Sequence, residues 1–275
     1  MESPTVSVII PAYNSEKFIG EAIASVLNQS FQDYEIIVVN DGSDDGTESV
    51  VKSLATDRLR YFYQTNSGPA QARNSAIDRS QGELIAFLDS DDTWYPDKLE
   101  RQVSYLNRRT DTAAVYCQLM FVGDSFSRLK TFPDRHFFKS GRVFDDLLRW
   151  NFILPSSVLI RKSLLQEVGG FDPDRSVRGF EDWELWLRIA SKHQFGFIPQ
   201  VLGEHRYHSD NHSYQTVKGK DAFLNGLQTL FAIADKKIGL SQSQREIAHS
   251  TLNQVKGCGS NWRNLNELYQ LLFDV

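Results

Sequence analysis

Three aspartates occupy four positions at Asp89-Ser90-Asp91-Asp92, directly after the apolar run Leu84-Ile85-Ala86-Phe87-Leu88. Such a short, unbroken apolar run reads as a fully buried strand. The acidic cluster then stands at a strand's carboxyl end, where open α/β sheets bind ligands. Asp89 and Asp91 are two residues apart, so on a backbone that stays extended they point to one side and can share a cation. Carboxylate oxygens are hard ligands suited to magnesium or manganese, and a cation held this way commonly holds phosphate too. A plainer use also fits these residues: Ser/Asp-rich stretches are ordinary loop chemistry, and Asp92 would then stand just ahead of a helix whose first turn holds Pro96.

The elements that must position this cluster alternate in type. Residues 6–10 form an apolar, β-branched run followed by the loop Pro11-Ala12-Tyr13-Asn14. Phe18, Ile19, Ala22, Ile23, Val26 and Leu27 then fall on one helical stripe, with Asn14 or Ser15 as the expected cap. Residues 35–39 are a second buried strand, closed by Asn40-Asp41-Gly42-Ser43. A helix is expected from near Asp45, whose side chain can cap it while Glu48 reaches back. Residues 59–63 read as a third strand and residues 70–79 as a third helix. Strands alternating with helices at this spacing are βαβ units in a parallel sheet covered on both faces, with function on the loops after Ile10, Val39 and Leu88.

Past Leu106 the alternation loosens. Residues 113–120 and 157–160 read as strands and residues 143–150 as a short helix. The polar stretch 124–142 is expected to be a mobile or partner-shaped loop. Near residue 181 a strong helix opens, with Trp183, Trp186, Leu187 and Ala190 on its apolar stripe. From about Thr216 the pattern is helical to the end, with breaks near Gly239 and Gly257-Cys258-Gly259. There is no internal repeat.

With 275 residues, 41% of them hydrophobic, the chain can bury a full core. A net charge of -5 and the lack of any basic block argue against nucleic acid as a partner. Cys117 and Cys258 are too few for a disulfide framework and lack metal-site spacing, so both are expected as thiols in a reducing compartment. No basic leader and no run of 18 apolar residues is present, which points to a cytoplasmic protein and leaves room for peripheral attachment at the inner face of a membrane.

Five segments, taken in order, resemble family 2 glycosyltransferases of GT-A fold: Val6-Ser7-Val8-Ile9-Ile10-Pro11-Ala12-Tyr13-Asn14, Val39-Asn40-Asp41-Gly42-Ser43, Gly68-Pro69-Ala70-Gln71-Ala72-Arg73-Asn74, Asp89-Ser90-Asp91-Asp92 and Glu181-Asp182-Trp183. The resemblance spans about residues 5 to 213. It implies an α/β, Rossmann-like, mostly parallel central sheet flanked by helices. It also implies a GT-A catalytic domain over 1–215 (nucleotide-sugar half about 1–110, acceptor half about 111–215), leaving 216–275 as a C-terminal helical extension. The implied chemistry is inverting transfer of a sugar from a nucleotide-diphospho-sugar, helped by manganese or magnesium, to a glycan or lipid-linked acceptor.

Carried over by position, the resemblance places Pro11, Ala12, Tyr13, Asp41, Arg73, Asp89 and Ser90 around the nucleotide-sugar. Asp91, Asp89 and His208 fall at the metal, with Asp182 as general base and Glu181 as its support. An ionised carboxylate only accepts, so Asp41 selects a base that presents an N-H: uracil, thymine and guanine all do. Asp182 stands at a helix start, whose dipole is expected to keep it ionised and to leave it a weak base until water is excluded. The Gln-x-x-Arg-Trp element of processive family members is missing, which favours transfer of one sugar per encounter.

Two other readings use the same residues. An apolar strand followed by Asp89-x-Asp91-x-Thr93 fits the first motif of haloacid-dehalogenase-like phosphatases, although Arg128 stands where the aspartate of a later Gly123-Asp124 element belongs. A nucleotide-sugar-binding module without turnover is the non-enzymatic alternative. A dinucleotide-dependent oxidoreductase is disfavoured, because no Gly-x-Gly-x-x-Gly follows the first strand.

Overall fold

The apolar runs become the centre of one sheet, and their alternate residues feed two separate cores. The computed structural model describes residues 3–123, 130–132, 139–208 and 219–257. Strands β1 (Val6–Ala12), β2 (Tyr34–Asn40), β3 (Leu59–Tyr63) and β4 (Leu84–Phe87) run parallel in the order β3-β2-β1-β4. Ile9 pairs with Ile37 and Phe87, and Val8 with Ile36 and Ala86. Ile9, Ile37 and Phe87 face one core; Val8, Ile36 and Ala86 face the other. Burial on both faces is why these strands read as continuous apolar runs.

Helices α1 (Ile19–Leu27), α2 (Thr47–Ser53) and α3 (Pro69–Arg79) are the crossovers. Past β4 the chain forms β5 (Thr93–Trp94), α4 (Lys98–Arg108), β6 (Thr112–Val122), β7 (Lys130–Phe132), α5 (Phe144–Leu147), a 3-10 turn at Pro155–Ser157, β8 (Leu159–Arg161) and α6 (Lys162–Val168). A second 3-10 turn, Arg175–Val177, precedes α7 (Glu181–Ala190), β9 (Gln194–Arg206), α8 (Lys220–Ile238) and α9 (Gln242–Gly257). The sheet continues from β4 through β8, β6 and β9 to β5, with β7 on β6. In this half β8 is antiparallel to both neighbours, while β6 and β9 are parallel.

Several expectations shift. The 13-residue β9 was not legible, because Gly196, Pro199 and Gly203 interrupt its alternation. Its register against β6 jumps from Cys117↔Ile198 to Gln118↔Val201, a bulge that absorbs Pro199. A side chain at Gly203 would lie 2.5 Å from the Thr93 carbonyl, so close pairing with β5 requires glycine there. The strand expected over 157–160 starts at Leu159 because Pro155–Ser157 is a turn. Of the polar stretch 124–142, β7 and residues 139–142 are described; 124–129 and 133–138 lie outside the described residues, as do Cys258 and Gly259.

Neither Asn14 nor Ser15 caps α1 through its side chain; the Ser15 carbonyl instead accepts the N-H groups of Phe18 and Ile19. Asp45 does accept the Thr47 N-H at 3.0 Å, whereas Glu48 pairs with Lys52 rather than closing a capping box. Gly239, at φ 77°, ends α8 as expected. Cys117 is buried and unbridged.

Candidate active site

The loops after β1, β2 and β4 meet the start of α7 and the end of β9. The Asp89 carbonyl accepts the Asp92 N-H at 3.1 Å, so the acidic cluster is a tight turn and not the extended segment that a shared side requires. The two carboxylates part accordingly. Asp89 Oδ1 accepts from Arg73 Nη2 at 2.6 Å, and Asp91 Oδ2 lies 3.0 Å from His208 Nε2. Ser90 Oγ meets Ser15 Oγ at 2.7 Å, joining the β4 and β1 loops.

Asp92, 1% exposed, does not cap α4, which begins at Lys98 without any side-chain cap. It accepts the Arg206 N-H at 3.0 Å and lies 3.1 Å from His205 Nδ1, clamping the end of β9 onto the acidic turn. Burial alone would push His205 down, but Asp92, then Asp91 and Asp89, raise it to about 9. The imidazole is therefore cationic at neutral pH. This clamp brings His208 to Asp91.

Arg73 comes from α3 and is buried between the two halves. Besides Asp89 it reaches Glu181 Oε1 at 3.5 Å, and its guanidinium lies 5.3 Å from the centre of the Phe171 ring. Burial opposes its charge, but Asp89 and Glu181 more than offset this and hold it above the usual arginine value. Its Nε and Nη1 have no hydrogen-bond acceptor among the described residues. Asn74, one residue on, brackets Phe171 by accepting its N-H and donating to its carbonyl, each at 2.8 Å. The α3 motif thus ties the acidic turn to Glu181 and to the segment carrying Phe171.

Asp182 is half-buried at the first turn of α7. Its Oδ1 accepts the Trp183 N-H at 2.8 Å and its Oδ2 the Asn151 side-chain amide at 3.0 Å. Burial, then the neighbouring Glu181 charge, outweigh those donors and Arg73, and raise Asp182 to about 7. The helix start does not leave it a weak base: desolvation dominates the dipole, and the carboxylate is poised near neutrality. Trp183 and Trp186 donate their indole N-H groups to the carbonyls of Leu147 and Ile153 at 2.7 and 3.0 Å, which fixes the segment carrying Asn151. Glu181 accepts the Gly179 N-H at 2.6 Å and so faces Arg73 from a fixed turn.

Asp41 is 3% exposed and already heavily engaged. It accepts from Gln64 Nε2 at 2.7 Å and from the N-H groups of Ser67 and Gly68 at 2.9 and 2.8 Å, organising the turn that starts α3. A carboxylate offers about four acceptor positions, so one is left for a ligand. Ala12 contributes its carbonyl to the Asp41 N-H at 2.8 Å, and Pro11 lies within β1. Tyr13, the next residue, is 54% exposed.

A divalent cation fits the donor set. Asp91 and His208 present an oxygen and a nitrogen 3.0 Å apart from separate elements, with Asp89 at the head of the same turn. Among the described residues no three His, Cys, Asp or Glu side chains converge on one point. Cations that assist phosphate chemistry are usually held by only one or two carboxylates, substrate oxygens and water supplying the rest.

Residues that the sequence did not single out do much of the positioning: Asn151 at Asp182, Ser156 whose Oγ accepts the Asp89 N-H at 3.0 Å, Gln64 at Asp41, and His205 at Asp92, while Ser15, expected as a cap, instead meets Ser90. Small polar residues in loops carry no periodic signal, so only contact reveals them. In the phosphatase reading Asp89 would have to act as nucleophile with one oxygen held by Arg73 Nη2 at 2.6 Å.

A parallel nucleotide-type half joined to a mixed half, with an acidic turn facing a Glu-Asp helix start, defines a glycosyltransferase of the GT-A fold. Solved structures agree. Staphylococcus aureus TarS (residues 1–349) in complex with UDP-GlcNAc superposes with a TM-score of 0.72 at 20% identity, over 98% of this chain and 81% of that one. The mannosyltransferase PcManGT of Pyrobaculum calidifontis, in complex with GDP-Man and Mn2+, gives 0.66 at 20% identity, over 99% and 86%. Residues 7–169 match the model of Glycosyl transferase family 2, and the chain belongs to that family.

Among its relatives, the putative teichuronic acid biosynthesis glycosyltransferase TuaG of Bacillus subtilis is 34% identical over 226 residues, 80% of this chain and 84% of that protein. An uncharacterized glycosyltransferase of Rickettsia bellii is 35% identical over 210 residues, 76% of this chain but only 30% of its own length. The one from Rickettsia typhi is 35% identical over 209 residues, 75% and 65%. The chain therefore spans less than two thirds of the length of these rickettsial relatives. No helix among the described residues is long and apolar enough to cross a membrane.

Proposed function

We propose that the protein is an inverting, metal-dependent transferase that moves one sugar from a UDP-sugar to a hydroxyl of a glycan or lipid-linked acceptor in cell-envelope glycan synthesis. The observation that carries this reading is Asp182: a half-buried carboxylate raised to about 7, one residue from a glutamate that is tied through Arg73 to the acidic turn. A carboxylate near neutrality and an acidic turn joined in one network support a base acting beside a phosphate-type site.

Asp182 takes the proton from the acceptor hydroxyl as the oxygen bonds to the anomeric carbon. The bond from that carbon to the diphosphate breaks, and its electron pair leaves with the phosphate oxygen on the opposite face. A cation on Asp91 and His208, with Asp89 alongside, would neutralise the departing diphosphate as a Lewis acid. The spare buried donors on Arg73 suit the same oxygens. Asp41 offers its remaining acceptor position to the base N-H, with Tyr13 over the ring; TarS structures with UDP and UDP-GlcNAc favour uracil, while GDP-Man in PcManGT shows that the fold also carries guanine. The envelope assignment leans on the name of the Bacillus relative.

Thermal-shift screening of nucleoside diphosphates with and without manganese tests the reading. Stabilisation by UDP that requires the metal is expected; indifference to every nucleotide, with or without metal, would overturn it.

A further inference from the structure

Beneath the acidic turn lies a lysine that the proposed chemistry does not use. Lys98, on the first turn of α4, is 0% exposed, and no carboxylate among the described residues pairs with it. Its ammonium lies 3.8 Å from the centre of the Trp94 ring and donates to Gln102 Oε1 at 2.7 Å. A lysine only donates, so Gln102 must turn its oxygen to Lys98 and its NH2 away. That NH2 donates to the Ser157 carbonyl at 2.8 Å and to the Val115 carbonyl at 3.2 Å. Trp94 donates its indole N-H to the Ser156 carbonyl at 2.8 Å. Both arms end on the Pro155–Ser157 turn, and Ser156 Oγ accepts the Asp89 N-H at 3.0 Å.

We infer that Lys98 is a positioning residue which, through Gln102 and Trp94, locks the Pro155–Ser157 turn and thereby the backbone of Asp89 at the head of the acidic turn. Packing alone gives no reason for a charge at this place. Methionine has nearly the same length and would fill the volume without desolvating an ammonium, whereas burial pushes Lys98 down to about 8. What the ammonium adds is orientation, since it contacts the ring of one arm and fixes the amide sense of the other. The effect on donor binding rests on the function proposed above; the placement of Asp89 does not.

Lys98→Met and Gln102→Glu separate the possibilities. The first keeps the stem over Trp94 but frees the Gln102 amide. The second gives the lysine a countercharge but removes the N-H donors to Ser157 and Val115. Amide and indole hydrogen exchange is followed by NMR, together with melting temperature and donor KM against kcat. In both variants, exchange at the Asp89 amide and the Trp94 indole should quicken roughly three- to tenfold, the worth of one hydrogen bond, while central amides such as Ile9 and Val38 keep parental rates. Donor KM should rise by a similar factor with kcat changed less, and Lys98→Met should melt no lower than the parent. Parental exchange at Asp89 and Trp94 would overturn the inference, as would uniform acceleration across the core with a lowered melting temperature. If Lys98→Met does not fold, Gln102→Glu decides alone. Should no nucleotide-sugar be turned over, the proposed function fails, and exchange at Asp89 still decides the role of Lys98.

Discussion

Asp182→Asn should inactivate the enzyme and yet make it relatively more stable as pH rises. With Asp182 raised from 3.8 to about 7, the folded protein binds more protons than the unfolded chain between those values, so folding stability falls as pH climbs through that window. The span corresponds to on the order of 4 kcal/mol, part of it already incurred at pH 5. Asparagine carries no such charge. It places an NH2 toward either the Trp183 N-H or the Asn151 amide, at a cost of about 1–3 kcal/mol that does not change with pH. Unfolding in urea at pH 5 and pH 8 should therefore show the variant gaining on the parent by roughly 3 kcal/mol across the interval. Activity moves the other way: transfer should fall by about 10² to 10⁴, and metal-dependent UDP binding should persist. In the parent, kcat/KM should rise about tenfold per pH unit below 7 and level off above it. A stability difference that is flat with pH, or a parental rate that is flat from pH 5.5 to 8, would refute the buried-base argument.

Replacing Arg73 by Met leaves the buried Glu181 and the part-buried Asp89 without their shared cation, which should cost about 3 kcal/mol in urea melts; removing a positive charge near Asp182 should also move the pH-rate profile toward higher pH. Asp41→Asn should weaken UDP binding by about 1.5–3 kcal/mol in titration calorimetry, and because Asp41 also holds the Ser67 and Gly68 N-H groups, Gln64→Ala serves as the control that disturbs that carboxylate without altering its charge. Unchanged UDP affinity in Asp41→Asn would mean that the carboxylate serves only the turn.

Much of the chain up to β4 was legible because its signals are periodic. Buried parallel strands are unbroken apolar runs, α1 buries the stripe expected of it, and α3 lies where a third helix was expected. The later part of the chain hides its longest strand, since β9 is bent by a bulge at Pro199 and thinned by Gly196 and Gly203 to pass close beside β5. The acidic turn was visible by composition, but its shape was not. Whether Asp89 and Asp91 share a side depends on the backbone after Leu88, and a hydrogen bond from Asp92 to Asp89 closes that backbone into a turn. The value of Asp182 lay equally out of reach, because burial is set by tertiary packing, in which Asn151, some thirty residues upstream, reaches its carboxylate. Local sequence offers only the helix start, which argues for the opposite shift.

The charges of the site form one line of alternating sign: Asp89, Arg73, then Glu181, with Asp182 beside it. Arg73 is rooted in α3, whose packing on β1 and β2 fixes it to the parallel part of the sheet, and Asn74 pins the same helix to Phe171. A shift of α3 would therefore change the spacing at Asp89 and the field at Asp182 together. Glu181 raises Asp182 while Arg73 lowers it, so the basicity of Asp182 reports how closely the cation balances its two carboxylates. An arginine in this place makes the basicity of Asp182 depend on the geometry of the acidic turn, through its two contacts to Asp89 and Glu181.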